Sequence, residues 1–190
     1  MSTTPRVPMD DAHLIKYAVN QARERKLRGC VSCRVPARQL SQDLEQLDGA
    51  CKGLADWSGA VSSLPGAVEW LLDNRYLALQ EGEEARRALR RGRPLRGTEG
   101  GDPLLQWCAR GALWAVPDLD KTRLARYLEG FQTVRPLTER ELSLLVPALA
   151  MELVGQLARL CSDVPAPQGG RVPPEEMERI FTALRTLSGG

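Results

Sequence analysis

The sequence predicts an all-α fold, an irregular helical bundle of about seven helices. Three observations carry that expectation. Leu, Ala and Arg dominate while aromatics make up only 5% of the chain, and unbranched side chains lose little rotamer freedom in a helix. Apolar residues recur at three- and four-residue steps. No segment shows sustained β-branched alternation, so no strand is expected. With 190 residues, 43% hydrophobic and 26% charged, the chain can bury one real core or two small ones.

The first helix is expected from about Asp10 to Lys26, with Leu14, Ala18 and Ala22 on one side. Asp10 or Asp11 would cap it, Lys26 and Arg28 would suit its C-terminal dipole, and Gly29 would end it. The second, about Ala37 to Ala55, carries the stripe Leu40, Leu44, Leu47, Cys51 and Leu54. The third starts at Pro65 and runs through Trp70, Leu71 and Tyr76 to about Arg91. A Gly- and Pro-rich loop follows, and Asp102 with Pro103 signals the start of a fourth helix through Trp107 and Leu113. The fifth follows Asp118 and Asp120 and includes Tyr127 and Phe131.

Thr138 and Glu141 have the spacing of a capping box, in which each side chain satisfies an orphan backbone N–H, with Leu137 as a hydrophobic staple. They would open a sixth helix to about Cys161, which Pro147 should kink or split. A seventh would span Pro174 to about Leu187. The loop at 92–102 is the candidate boundary between an N-terminal helical half, 1–95, and a C-terminal half, 103–190, of one continuous module.

The net charge of +2 demands no nucleic-acid partner. No apolar run approaches the roughly 20 residues of a membrane helix; the longest, Leu142 to Val154, is interrupted by Pro147 and Glu152. The N-terminus has no signal-peptide pattern, so a cytoplasmic location is expected. Five scattered cysteines read as free, mostly buried thiols.

Few residues invite a chemical role. Cys30 and Cys33 form a CxxC, but a zinc site needs two more ligands and a redox pair needs a βαβ context; two thiols in a turn is the preferred reading. His13 is the sole histidine and has no nucleophile motif beside it. DLD at 118–120 has the letters of a sugar-transferase metal grip, but its place at a helix start makes it a cap. Glu69 and Asp73 share a helix face in the run EWLLDN, where Trp70 and Asn74 also sit; acid/base work is conceivable there, but a packed helix explains the pattern. There is no phosphate loop. The expectation is a chain with no catalytic residue, no metal and no cofactor.

Arg86, Arg87, Arg90, Arg91, Arg93 and Arg96 form a basic cluster. It could take phosphate, an anionic lipid surface or a carboxylate-rich partner. Glu81, Glu83 and Glu84 precede it, and Glu83 can pair with Arg87 at i+4, so a solvated helix face is the competing account. No aromatics interleave the arginines, which argues against nucleic acid.

Two stretches are distinctive. Pro65 followed by EWLLDN at 69–74 and the charged run to Arg91, then RYLEGFQTVRPLTERELSLL at 126–145, resemble in order the N-terminal helical region of cyclic β-1,2-glucan synthases and their glucoamylase-like relatives. Tyr17-Ala18, the 38–47 stretch and Met151 to Leu160 are similar to further segments of that region. IFTALRTLSGG resembles a family segment that runs on into a D-W motif, which implies a piece of a longer protein. The resemblance implies an accessory, non-catalytic helical module. In the family the chemistry, glucosyl transfer from UDP-glucose at the inner membrane and a phosphorylase-like glycosidase domain, lies in other domains. Its implied partners are those domains or a second copy of the chain, with C-terminal helices that expose apolar surface. The alternative is a free-standing scaffold or regulatory protein that binds an anionic partner at Arg86–Arg96.

Overall fold

The computed structural model describes residues 9–58, 66–91, 94–162 and 174–189. They form α1 (Asp11–Glu24), β1 (Leu27–Val31), α2 (Arg34–Ser58), α3 (Gly66–Arg90), β2 (Leu95–Thr98), α4 (Leu104–Ala115), α5 (Lys121–Gln132), α6 (Glu139–Ser143), α7 (Leu145–Ser162) and α8 (Pro174–Ser188). The fold is predominantly all-α. Pro65, read as the start of the third helix, and the stretch before Pro174 lie outside the described residues.

Helix α7 is the centre. Leu149, Leu153, Val154, Leu157 and Ala158 are fully buried, and Ala148, Ala150 and Met151 are nearly so. A helix that is apolar nearly all round needs neighbours on all sides, and α2, α3, α4 and α8 supply them. The stripe expected on α2 does face inward: Leu40, Leu47 and Cys51 are inaccessible to solvent. Helices α1, α4 and α5 pack together as a second group, joined to the first through α4 and α7. One hydrophobic cluster runs through both groups. The expected exposure of apolar surface by the C-terminal helices does not extend to α8, whose Met177, Ile180, Phe181 and Leu184 are buried against α3 and α7.

Local expectations need correction at the sheet, at Gly29 and at the start of α5. A short antiparallel sheet exists: Leu27 pairs with Thr98, Cys30 with Arg96 and Val31 with Leu95. These strands join segments almost seventy positions apart and are rich in Arg and Gly, so no local alternation announces them. Gly29 does not end α1, which stops at Glu24. It lies inside β1 with φ of 63°, at the irregularity between Leu27 and Cys30, where a left-handed residue absorbs the one extra position of a bulge. The α1 carbonyls are met instead by the Arg135 guanidinium, 3.2 Å from the Ala22 oxygen and 3.4 Å from that of Arg25.

The expected sixth helix is two, which raises the number among the described residues to eight. Pro147 is the cause, three residues downstream of the break. Its ring would clash with the Ser143 carbonyl and it has no N–H to offer that oxygen. Helix α6 therefore stops at Ser143 and α7 restarts at Leu145, with Leu144 at φ −100° and ψ 5° between them. Pro147 then sits in the first turn of α7, where its missing N–H has no partner to lose. Asp120, not Asp118, caps α5 by accepting from the Arg123 N–H at 2.9 Å. Leu119 before it has φ of 53°. A left-handed leucine costs roughly 1–2 kcal/mol, which burial of its side chain at 1% exposure offsets with about 1.5–3 kcal/mol.

The α1–α4–α5 group closes on buried polar groups. The Gln21 amide donates to the Trp107 carbonyl oxygen at 2.7 Å and accepts from the Tyr127 hydroxyl. That hydroxyl also lies 3.0 Å from the Cys108 carbonyl oxygen, and the Trp107 indole N–H donates to the Gln21 carbonyl oxygen at 3.0 Å. Gln21 is 5% exposed and Tyr127 fully buried, so each bond replaces water that cannot reach the site. A Cβ on Gly111 would come within 2.0 Å of the Gln21 amide. The amide cannot move aside without breaking these bonds, so Gly111→Ala should lower folding stability by about 1–3 kcal/mol. Urea unfolding checks this; an unchanged midpoint would show that Gln21 is not fixed there.

Candidate functional site

The residues of EWLLDN serve the seat of α8. Trp70 meets Phe181 edge-on with centroids 4.8 Å apart, and the Arg185 guanidinium lies 5.7 Å from the Trp70 ring centroid. Asn74 donates to the Trp70 carbonyl oxygen at 2.8 Å and accepts from Arg185 at 2.6 Å. Glu69 and Asp73 are exposed on the same helix.

Thr138 and Glu141 form the capping box. The Thr138 N–H donates to Glu141 Oε2 at 2.9 Å, and the Glu141 N–H donates to the Thr138 hydroxyl oxygen at 3.2 Å. The box also holds Arg96. Its Nε donates to Glu141 Oε1 at 3.0 Å, a second guanidinium nitrogen contacts Oε2, and the same nitrogen donates to the Pro136 carbonyl oxygen at 2.6 Å. This member of the basic cluster is therefore committed to structure, tying β2 to α6. Arg93 lies outside the described residues.

The remaining cluster divides again. Arg86 grips Glu83 with two bonds, Nε at 2.7 Å and Nη2 at 2.5 Å, and Arg87 reaches the same carboxylate at 3.4 Å. These bonds hold the Glu83 carboxyl down to about 2, against the opposing pull of partial burial. Arg90 and Arg91 are exposed.

Helix packing then does what the linear cluster does not. The start of α2 lies beside the end of α3, and a cleft of about 560 Å³ opens between them, lined by Arg34, Ala37, Arg38, Ser41, Arg86 and Arg90. Four guanidiniums share one concavity, and among the described residues no carboxylate lines it. Among the described residues, Arg34, Arg38 and Arg90 enter no ion pair. Two like charges 4 Å apart in water repel by about 1 kcal/mol, and an anion placed between them reverses the sign. Arg34 and Arg38 were missed by sequence reading because the α2 stripe drew attention to its buried face. Their i,i+4 spacing on the opposite face was the available signal.

Other candidates carry less. Cys30 is exposed on β1 rather than in a turn, and Cys33 is buried just before α2. Burial raises the Cys33 and Cys51 thiols above their ordinary value and pushes Cys108 and Cys161 up to about 12, which leaves them protonated and poorly nucleophilic at neutral pH. His13 Nδ1 lies 2.8 Å from the Asp10 carboxylate at the α1 N-cap. Among the described residues no three His, Cys, Asp or Glu side chains gather to hold a metal, and no helix is long and apolar enough to cross a membrane.

The Arg96–Glu141 pair gives a pH dependence. Burial would raise the Glu141 pKa, but Arg96 and the Thr138 N–H and hydroxyl outweigh it and hold the carboxyl below its ordinary 4.5. The native carboxyl binds a proton less readily than the unfolded one. Its contribution is therefore complete above about pH 4.5 and is lost as pH falls through the lower native value. Glu141→Gln should cost about 1–3 kcal/mol at pH 7, with the deficit shrinking as the pH drops below 4.5. Parallel urea midpoints for the two chains from pH 7 to 3 would refute it. Comparison with known proteins gives no match: no family model, no curated protein and no solved structure is similar to this chain.

Proposed function

We propose that this chain is a non-catalytic helical binding module that takes an anionic group of a partner in the α2–α3 cleft. The observation that carries the reading is the convergence of Arg34 and Arg38 with Arg86 and Arg90 on a cavity that, among the described residues, no carboxylate lines. A guanidinium offers a planar fork of donors matched to phosphate and carboxylate oxygens. Unpaired arginines at a cleft are more readily spared for a ligand than those in ion pairs. The distinctive EWLLDN and PLTERELSLL stretches support a scaffold role, because their polar residues hold α8 and Arg96 in place.

A second reading sets this module in a longer polypeptide, as an accessory cytoplasmic region of a cyclic β-1,2-glucan synthase-like protein. It rests on the resemblance of those same two stretches and on their order in the chain. Under it the purified chain turns over neither UDP-glucose nor β-1,2-glucans, and the reading frame beyond Gly190 continues into a transferase. A stop codon there would remove this reading.

For the first reading, inorganic polyphosphate should bind the chain at low salt and release as salt is raised. The Arg38→Glu, Arg90→Glu double variant should weaken binding by at least about tenfold. Both side chains are exposed, so the variant should melt like the parent. Equal binding by the folded variant, or no binding by the parent, would end the reading.

A further inference from the structure

Arg86 stands apart from the other three arginines of the cleft. It is 21% exposed at the side chain, and its fork is filled by Glu83 from one turn earlier in the same helix. Arg34, Arg38 and Arg90 around it are exposed. An internal carboxylate thus occupies the most enclosed cation of the site, while the open cations enter no ion pair among the described residues. Carboxylate and phosphate compete for the same planar donor pair.

We infer that the cleft is a phosphate site with a built-in competitor: a phosphate group carrying two or more charges bridges Arg38 and Arg90 and takes the Arg86 fork from Glu83. This rests on the anion-binding reading above. Three observations favour a compact multivalent phosphate over other anions. Three open guanidiniums face a ligand beside the one that Glu83 holds, and a single carboxylate would answer one of them. The volume of about 560 Å³ falls in the range of small-molecule sites and accommodates a diphosphate or a phosphomonoester with its attached group. Among the described residues no aromatic side chain lines the cleft, so they offer no platform on which a nucleic-acid base would stack. Glu83 sets the threshold: a singly charged anion gains too little to break two short bonds, and a phosphate bearing two charges gains enough. The phosphate could be free or the headgroup of a lipid, and the two sources present the same chemistry to the fork.

The test is calorimetric titration of the whole chain at low salt with inorganic pyrophosphate, beside flotation with neutral-lipid vesicles containing phosphatidic acid. Binding of pyrophosphate is expected for a free phosphate, and binding of vesicles alone for a headgroup. Glu83→Gln keeps the shape of the side chain and removes its charge. It should tighten binding by about two- to fivefold, the equivalent of releasing a partly exposed ion pair. Glu84→Gln removes an equal charge one residue away, from a side chain that touches Gln80 rather than an arginine, and should change little. Adding Arg86→Lys to Glu83→Gln keeps the charge, loses the fork and should cancel the gain. Equal tightening by Glu83→Gln and Glu84→Gln, or none by Glu83→Gln, would overturn the inference and leave anion binding standing. Binding of polyphosphate without pyrophosphate or phosphatidic acid would overturn the inference alone, whereas binding of none of the three would overturn both.

Discussion

The Gln21 amide is the group on which the α1–α4–α5 half depends. One neutral side chain joins three helices: it donates to the α4 backbone, accepts from Tyr127 of α5, and its own carbonyl takes the Trp107 indole N–H. Apolar burial holds the three helices together but is indifferent to register. The hydrogen bonds are not, because a slip of one residue would strand a buried amide, a hydroxyl and an indole N–H, each costing about 1–3 kcal/mol. The polar junction therefore selects one arrangement from the several that would bury the same area.

From this junction a chain of charges leads across the molecule. The Arg25 guanidinium lies 3.9 Å from the Trp107 ring centroid and pairs with Asp102 at 3.0 Å. Asp102 also accepts from Arg110 at 3.1 Å, and Arg110 reaches Glu152 of α7, whose carboxylate takes the Gln106 amide at 2.8 Å. Asp102, read in the sequence as a helix-start signal, caps nothing with its side chain; Pro103 holds the N-cap position. Its carboxylate is spent on joining the α1 end to α4. Glu152, which interrupts an otherwise apolar run, is the far anchor of this network. A lone carboxylate there would be prohibitive, but one with two partners is tolerable.

Most arginines with a structural duty meet a carboxylate or carbonyl: Arg25, Arg96, Arg110 and Arg135 bridge elements distant in sequence. Against that background the cleft arginines are conspicuous, since among the described residues three of them are not paired in this way. Packing α2 against α3 brings them together, and the nearest carboxylate, Glu83, answers Arg86 and Arg87 only. The same residue type thus divides into mortar and ligand-facing groups, and the division is made by geometry.

What the sequence by itself determined was set by interactions within about four residues. The helical class, the α2 stripe, an aspartate cap for α1 and for α5 and the Thr138–Glu141 box all follow from backbone groups that need a local partner. The break before α7 was also legible, because the proline ring acts on a carbonyl four positions back, although its site lay upstream of the residue that causes it. Tertiary structure decided the rest. The β1–β2 pairing, the fate of Arg96 and the gathering of Arg34 and Arg38 with Arg86 and Arg90 all depend on which helices lie side by side. That choice rests on side-chain packing summed over α7 and its neighbours, a long-range quantity that no local window records. The basic run at 86–96 looked like a single patch along the chain. In space it is dispersed among a cap, an internal ion pair and a cleft whose other wall comes from a helix fifty residues earlier.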